Sequence, residues 1–155
     1  MIETAEAWLL EGGFHRVAVA IPELAAVVYR PRIHGLPLAP NGFPGFALWQ
    51  GMVIPVLDFE RRLGIGDATA SGTGDFLGIV RFPLARPPQS SQPPEIGFGG
   101  LRLAHPPITV TVSDDLAAPF PPPADLWLDL SWSCFQHQGV AVPILNLSLL
   151  FGGQD

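Results

Sequence analysis

Cys134 and His137, spaced Cys-x-x-His, are the residues of this chain whose types most directly suggest chemistry, either as metal ligands or as a thiol with its base. A zinc site takes about four ligands, and the others would have to come from His15, His34, His105 or scattered aspartates. A nucleophilic thiol needs an electropositive setting, whereas Trp132 and Phe135 surround this one with aromatic carbon. Free cysteine is among the residue types most often buried, so Cys134 is expected in the core and His137 at the surface. Asp114-Asp115, and Asp125 with Asp129, are the acidic pairs that could imitate a general acid and base. The first pair opens a loop before a proline run, where adjacent aspartates are solvated turn formers. The run Gly97-Phe98-Gly99-Gly100 lacks the helix and the following acid of a dinucleotide fingerprint. No catalytic set, metal or cofactor is expected; a small β-barrel enzyme or metal protein centred on Cys134 and His137 is the alternative these residues leave.

The charge inventory excludes further classes. All eight basic residues of the 155 are arginine, so the amine needed by a Schiff-base enzyme or a Walker-type phosphate loop is missing. With a net charge of -6, the chain also lacks the basic footprint that a phosphate backbone requires, and nucleic acid is not expected as a partner. A single cysteine forbids an intrachain disulfide and fits a reducing compartment. Residues 33–57 and 130–154 contain no charged side chain, yet prolines 37, 40, 44 and 55 interrupt the first, and Gln136, His137, Gln138 and Pro143 the second. Direct membrane insertion is therefore not expected, nor is a secretory leader, because Glu3, Glu6 and Glu11 stand where one is basic. The location implied is cytoplasmic.

These residues must be positioned by short elements, because 18 prolines and 17 glycines leave little room for long helices. Residues 1–13 read as a lead-in, with a helical turn or two over 4–10 that Gly12-Gly13 stop. Residues 14–21 and 24–30 read as two strands around the Pro22-Glu23 turn, and 45–49 and 52–56 as a hairpin about Gln50-Gly51. Asp58 is placed to cap a short helix that Gly64 ends. Strands follow at 76–82, 96–103, 108–112 and 126–135, with a proline-rich loop at 83–94. In a regular strand Trp127 and Trp132 face opposite ways, one to the core and one to a partner.

An internal repeat organises the chain. QGMVIPVLDFERRLG at 50–64 returns as QGVAVPILNLSLLFG at 138–152, an ungapped offset of 88. Each copy is a turn, a buried strand, a capping residue (Asp58 or Asn146) and a short amphipathic helix. Pro55 and Pro143 inside the strands suggest an edge or a bulge. Two similar strand-rich halves imply two small β-barrels packed together, which leaves few open sheet edges.

In this order of motifs the chain resembles the CheW-like family of chemotaxis coupling proteins. The resemblance is carried by the strand 24–28, the link Leu36-Pro37-Leu38-Ala39-Pro40, the hairpin at 45–51, Ile54-Pro55-Val56-Leu57-Asp58-Phe59 with Leu63-Gly64, and Pro143-Ile144-Leu145-Asn146-Leu147. It implies an all-β fold of two packed five-stranded SH3-like β-barrel subdomains with short helices, one CheW-like domain over 14–155. It also implies a non-catalytic adaptor that couples the cytoplasmic tip of a chemoreceptor to the regulatory domain of the histidine kinase CheA, possible self-association being a further route to covering apolar surface. The family's hairpin arginine falls at Gln50, the asparagine before it at Leu48, and the glutamate of its Val-x-Glu-Val motif at Ala26. Those departures imply that one partner only is retained, or a divergent pathway. The partner-binding residues expected are Phe46, Leu48, Trp49 and Gln50 on the hairpin, with Val28 and Leu36 nearby. Phe46 and Leu48 share one face of their strand and Ala47 and Trp49 the other, which leaves Trp49 either a partner anchor or an inward-facing residue.

Overall fold

A computed structural model describes residues 3–13, 15–35, 37, 43–64, 75–84, 91 and 95–152. Leu36 and most of the proline-rich segment at 83–94 lie outside the described residues. Strands β1 (Thr4–Glu11), β2 (Arg16–Ala20), β9 (Ile108–Ser113), β10 (Ser131–His137) and β11 (Val140–Leu145) form one sheet in the order β10-β11-β2-β1-β9. Strands β3 (Leu24–Tyr29), β4 (His34–Gly35), β5 (Gly45–Trp49), β6 (Met52–Leu57), β7 (Phe76–Pro83) and β8 (Ile96–Leu103) form the other, in the order β3-β7-β8-β6-β5-β4. Helices α1 (Phe59–Arg62), α2 (Ala124–Asp129) and α3 (Leu147–Gly152) are short. The fold is all-β with two β subdomains. They are interleaved, since the first and last strands of the chain share a sheet around the middle of the sequence.

Three apolar clusters follow from the period-2 alternation of side chains. Leu9, Ala18, Phe135 and Val142 fill the five-stranded subdomain, and Ala47, Ile54, Val56, Leu77 and Ile79 fill the six-stranded one. The opposite faces of the same strands supply Leu10, Val17, Val19, Val80, Phe82, Leu101 and Leu103 to a shared core between the sheets, which Phe59, Trp127, Leu147 and Leu150 of the helices complete. Strands apolar on both faces must be covered on both, which accounts for a chain 48% hydrophobic and 14% charged. Each fully buried Leu, Val or Phe in this layer is worth about 1.5–3 kcal/mol.

The internal repeat is real in three dimensions. Gln50 and Gly51 take φ of 49° and 78°, Gln138 and Gly139 take 51° and 76°, the paired positive values of a type I′ hairpin turn. Asp58 Oδ1 accepts from the Arg61 amide at 3.2 Å, and Asn146 Oδ1 from the Leu149 amide at 3.3 Å. Pro55 and Pro143 are not on edge strands, as the sequence suggests, because β6 lies between β5 and β8 and β11 between β10 and β2. They are tolerated since the parallel ladders to β8 and β2 start one residue later, at Val56 and Ile144.

The repeat also crosses the two sheets. Helix α1 leaves the six-stranded sheet, and its buried Glu60 accepts from the Gly13 amide at 2.6 Å and meets His15 Nδ1 at 2.5 Å, in the β1–β2 connection of the five-stranded sheet. Helix α3 leaves the five-stranded sheet, and Ser148, the repeat partner of Glu60, donates to the Pro83 carbonyl of β7 at 2.8 Å. Phe151 stacks on Phe82 at 5.1 Å beside it. Gly12 is required by close approach, because a Cβ there would sit 2.7 Å from the Phe59 ring.

Two elements differ from the sequence reading. Residues 4–10 are not helical turns but most of β1, paired with both β2 and β9. An interior strand buried on both faces loses polar alternation, and pairing on two sides overrides the helix propensity of its Ala, Leu and Glu. Residues 126–135 are not one strand: α2 occupies 124–129, started by the prolines at 121–123, and β10 begins at Ser131. Trp127 is fully buried from that helix, so the opposite fates of Trp127 and Trp132 stand, but not for the reason of strand alternation.

Two predictions follow from the crossing. Glu60→Ala is expected to lower unfolding free energy by about 1.5–3 kcal/mol and Ser148→Ala by about 0.5–1.5 kcal/mol in urea titrations, the ranges for charged and neutral hydrogen bonds; a loss at Glu60 within the ~0.5 kcal/mol of ordinary surface changes would contradict it. At Asp58, burial pushes the carboxyl above its ordinary value, with the neighbouring Glu60 adding to the rise, against the Arg61 amide and the charges of Arg102 and Arg61. The folded chain thus holds this proton more tightly than the unfolded one, and the stability it contributes is present below the ordinary Asp pKa and lost as pH rises through the raised value. Asp58→Asn, the residue of the second copy, should therefore raise the melting temperature near pH 7, with the gain vanishing below about pH 4; a lower melting temperature at pH 7 would contradict this.

Candidate partner-binding surface

The β5–β6 hairpin places the expected binding residues on two faces. Register pairs Leu48 with Val53 and Phe46 with Pro55 on its outer face, and Ala47 with Ile54 and Trp49 with Met52 on its inner face. Leu48 and Val53 are 62% and 67% exposed, a cross-strand apolar pair open to solvent. Phe46 is half-buried, with the His34 imidazole stacked on it at 5.0 Å. Trp49 is also half-buried, turned toward the subdomain core with its ring 5.6 Å from Phe98. Of its two readings, the inward one describes the structure. Gln50 is exposed at the turn, where its side chain faces water in place of a buried contact.

Val28 meets this hairpin across a slot of about 240 Å³ lined also by Pro31, Arg32, His34, Ala47, Leu48, Trp49, Leu77 and Ile79. The structure therefore brings Val28, Leu48 and Trp49 together and holds Phe46 and Gln50 at the margin. A second concavity, of about 310 Å³, lies where the two subdomains meet and is lined by Trp8, Leu24, Ala25, Ala26, Val27, Pro106 and Pro107. Its wall is almost wholly apolar, and Ala26 contributes no charge. The Trp8 indole is fixed by donating to the Ile21 carbonyl at 3.2 Å.

The family resemblance implies a groove between the halves for the receptor helices, but sequence reasoning left it without its Trp8 and Pro107 walls and passed over Val53 and Arg32. Val53 was reachable from the hairpin register, since it stands opposite Leu48. The lining of the groove was not, because its walls come from segments distant in sequence. Trp132, 69% exposed on β10, is a further open aromatic on the opposite subdomain.

The residues that first suggest chemistry are not assembled for it. Cys134 is buried, its Sγ 3.6 Å from the Pro119 carbonyl, and burial raises its thiol above the ordinary value, which disfavours the thiolate. His137 lies three residues on along a regularly paired stretch of β10 and so on the opposite face. Ser113 donates to Asp115, and Asp114 and Asp115 are exposed in a 3₁₀ turn, while Asp125 and Asp129 are exposed on α2. Among the described residues, no three metal-binding side chains gather at one point, and no helix is long and apolar enough to cross a membrane.

Comparison with known proteins agrees with this architecture. Residues 7–82, from within β1 to within β7, match the family model of the CheW-like domain. The crystal structure of the scaffolding protein TtCheW from Thermoanaerobacter tengcongensis superposes with a TM-score of 0.72 at 19% identity, covering 97% of this chain and 94% of that one. No curated protein sequence matches the chain. Residues 7–82 of this chain thus match a CheW-like domain, and the interleaved sheets give the whole chain the fold of a CheW scaffolding protein.

Proposed function

We propose that the protein is a non-catalytic cytoplasmic adaptor of chemotaxis-type signal transduction, holding a CheA-type kinase regulatory domain and a chemoreceptor tip by separate apolar surfaces. The observation that carries this reading is the pair of surfaces itself. Leu48 and Val53 stay open as a cross-strand pair on one hairpin, and the groove at Trp8 and Val27 stays open between the subdomains, whereas the other exposed apolar strand residues, Trp132 among them, line neither. The open apolar hairpin face suits docking of another small barrel. The apolar groove walled by Trp8, Ala26 and Pro107 suits the ridge of an apolar helix. Binding is the whole mechanism, with no bond made or broken.

The substitutions at family positions set the balance of the two contacts. Gln50 offers a neutral amide at the hairpin turn and Ala26 a methyl in the groove, so neither of these two positions supplies a charge to its contact. The groove contact should therefore depend little on salt.

The test separates the two surfaces. Leu48→Asp with Val53→Asp should weaken binding to the kinase regulatory domain at least about tenfold and leave receptor-tip binding unchanged, while Val27→Asp should do the reverse, as expected for a charge set into an apolar contact. All three positions are more than a third exposed, so melting temperature should hold. Wild-type protein that binds neither partner would overturn the reading.

A further inference from the structure

The slot beside the hairpin is apolar inside and cationic at its mouth. Its floor is Ala47, Leu77 and Ile79 of the subdomain core, and its sides are Val28 of β3 and Leu48 and Trp49 of β5. It exists because the sheet does not close there. Strand β3 pairs only with β7, and β5 meets β4 only through Gly45 and Phe46, so among the described residues 47–49 have no neighbour strand on that side. At about 240 Å³ the slot has room for one large apolar side chain and falls below the size of an ordinary small-molecule site. Arg32 and His34 belong to its lining, and among the described residues no carboxylate does. Arg32 is exposed, and the ion pairs among the described residues are His15–Glu60, Arg16–Glu11 and His105–Glu11, which leave its guanidinium out.

We infer that this slot receives a single apolar side chain of the protein partner docked on the hairpin, with an adjacent carboxylate of that partner paired to Arg32. The inference rests on the adaptor reading for the identity of the partner, but its chemistry is independent of it. A chain of net charge -6 would otherwise repel an acidic surface, and Arg32 is the local exception placed where an apolar anchor enters. Arginine presents a planar fork suited to two-point contact with a carboxylate. Leu48 belongs both to the slot and to the exposed hairpin face, so one partner covers both without a gap.

The full chain, labelled with nitrogen-15, would be titrated with hexanoate, hexan-1-ol and hexylamine. Hexanoate is expected to shift the amides of Val28, Ala47 and Trp49 with half-saturation at about threefold lower concentration than hexan-1-ol, the scale of one exposed charge contact, and hexylamine should bind weakest. Arg32→Gln, at an exposed position that leaves the fold intact, should erase the difference between hexanoate and hexan-1-ol while hexan-1-ol still binds. Leu48→Asp should weaken hexanoate. Equal binding of the three probes, or shifts away from the slot, would overturn the inference. In a second arm, Arg32→Glu should weaken the kinase regulatory domain about tenfold and Arg32→Lys much less. If wild type and Arg32→Glu bind that domain alike, the slot assignment fails and the adaptor reading stands. If the probes behave as expected but neither protein partner binds, the slot chemistry stands and the adaptor reading fails.

Discussion

The crossing of helices α1 and α3 between the two sheets is the constraint on which the rest of the structure depends. Each copy of the repeat ends its own sheet and then hands its helix to the other, so Glu60 holds the Gly13–His15 connection from one side and Ser148 holds Pro83 from the other. Between them lies the shared core of Leu10, Val17, Phe82, Leu101, Trp127 and Leu150. Neither sheet can leave without exposing this layer, and neither helix can move without breaking a contact to the opposite sheet. Trp127 reinforces the junction from α2, tilted against both His15 at 5.7 Å and Phe59 at 6.4 Å. A chain of 155 residues thereby gains one cooperative unit instead of two marginal barrels.

That constraint also decides where binding surfaces can be. Strands β2 and β7 supply side chains to two cores and keep little open apolar surface. Free apolar surface lies on the outer face of the β5–β6 hairpin and along the junction of β1 with β3, and also at Trp132 on β10, Ile108 on β9 and Ile96 on β8. On the proposed adaptor reading, two surfaces joined by one shared core would let the placement of one partner set the placement of another.

Much of this was legible in the sequence, and the rest was hidden for identifiable reasons. The repeat, its I′ turns, its capping Asp58 and Asn146 and its amphipathic helices are local features, and local turn and cap chemistry transfers directly to structure. The inner and outer faces of β5 followed from alternation, which put Leu48 out and Ala47 in. Strand β1 was misread because its periodicity is erased by burial on both sides, and α2 because its Leu126-Trp127-Leu128 core looks like a strand until the prolines before it are given their helix-starting role. The full lining of the groove and of the slot was not legible, because each joins residues far apart in the chain: Trp8 with Pro107, Val28 with Leu77. Glu60 carried no sequence signal, since its partners Gly13 and His15 are more than forty positions away and only the crossing brings them near.

The central claim is that one rigid body offers two surfaces that can be occupied at once. Sedimentation of the protein with an excess of the kinase regulatory domain and the receptor tip tests it most directly. The account predicts a ternary species, with the affinity for the kinase domain unchanged when the receptor tip is saturating. Displacement of one partner by the other would contradict it, because competition would mean that both use the same surface.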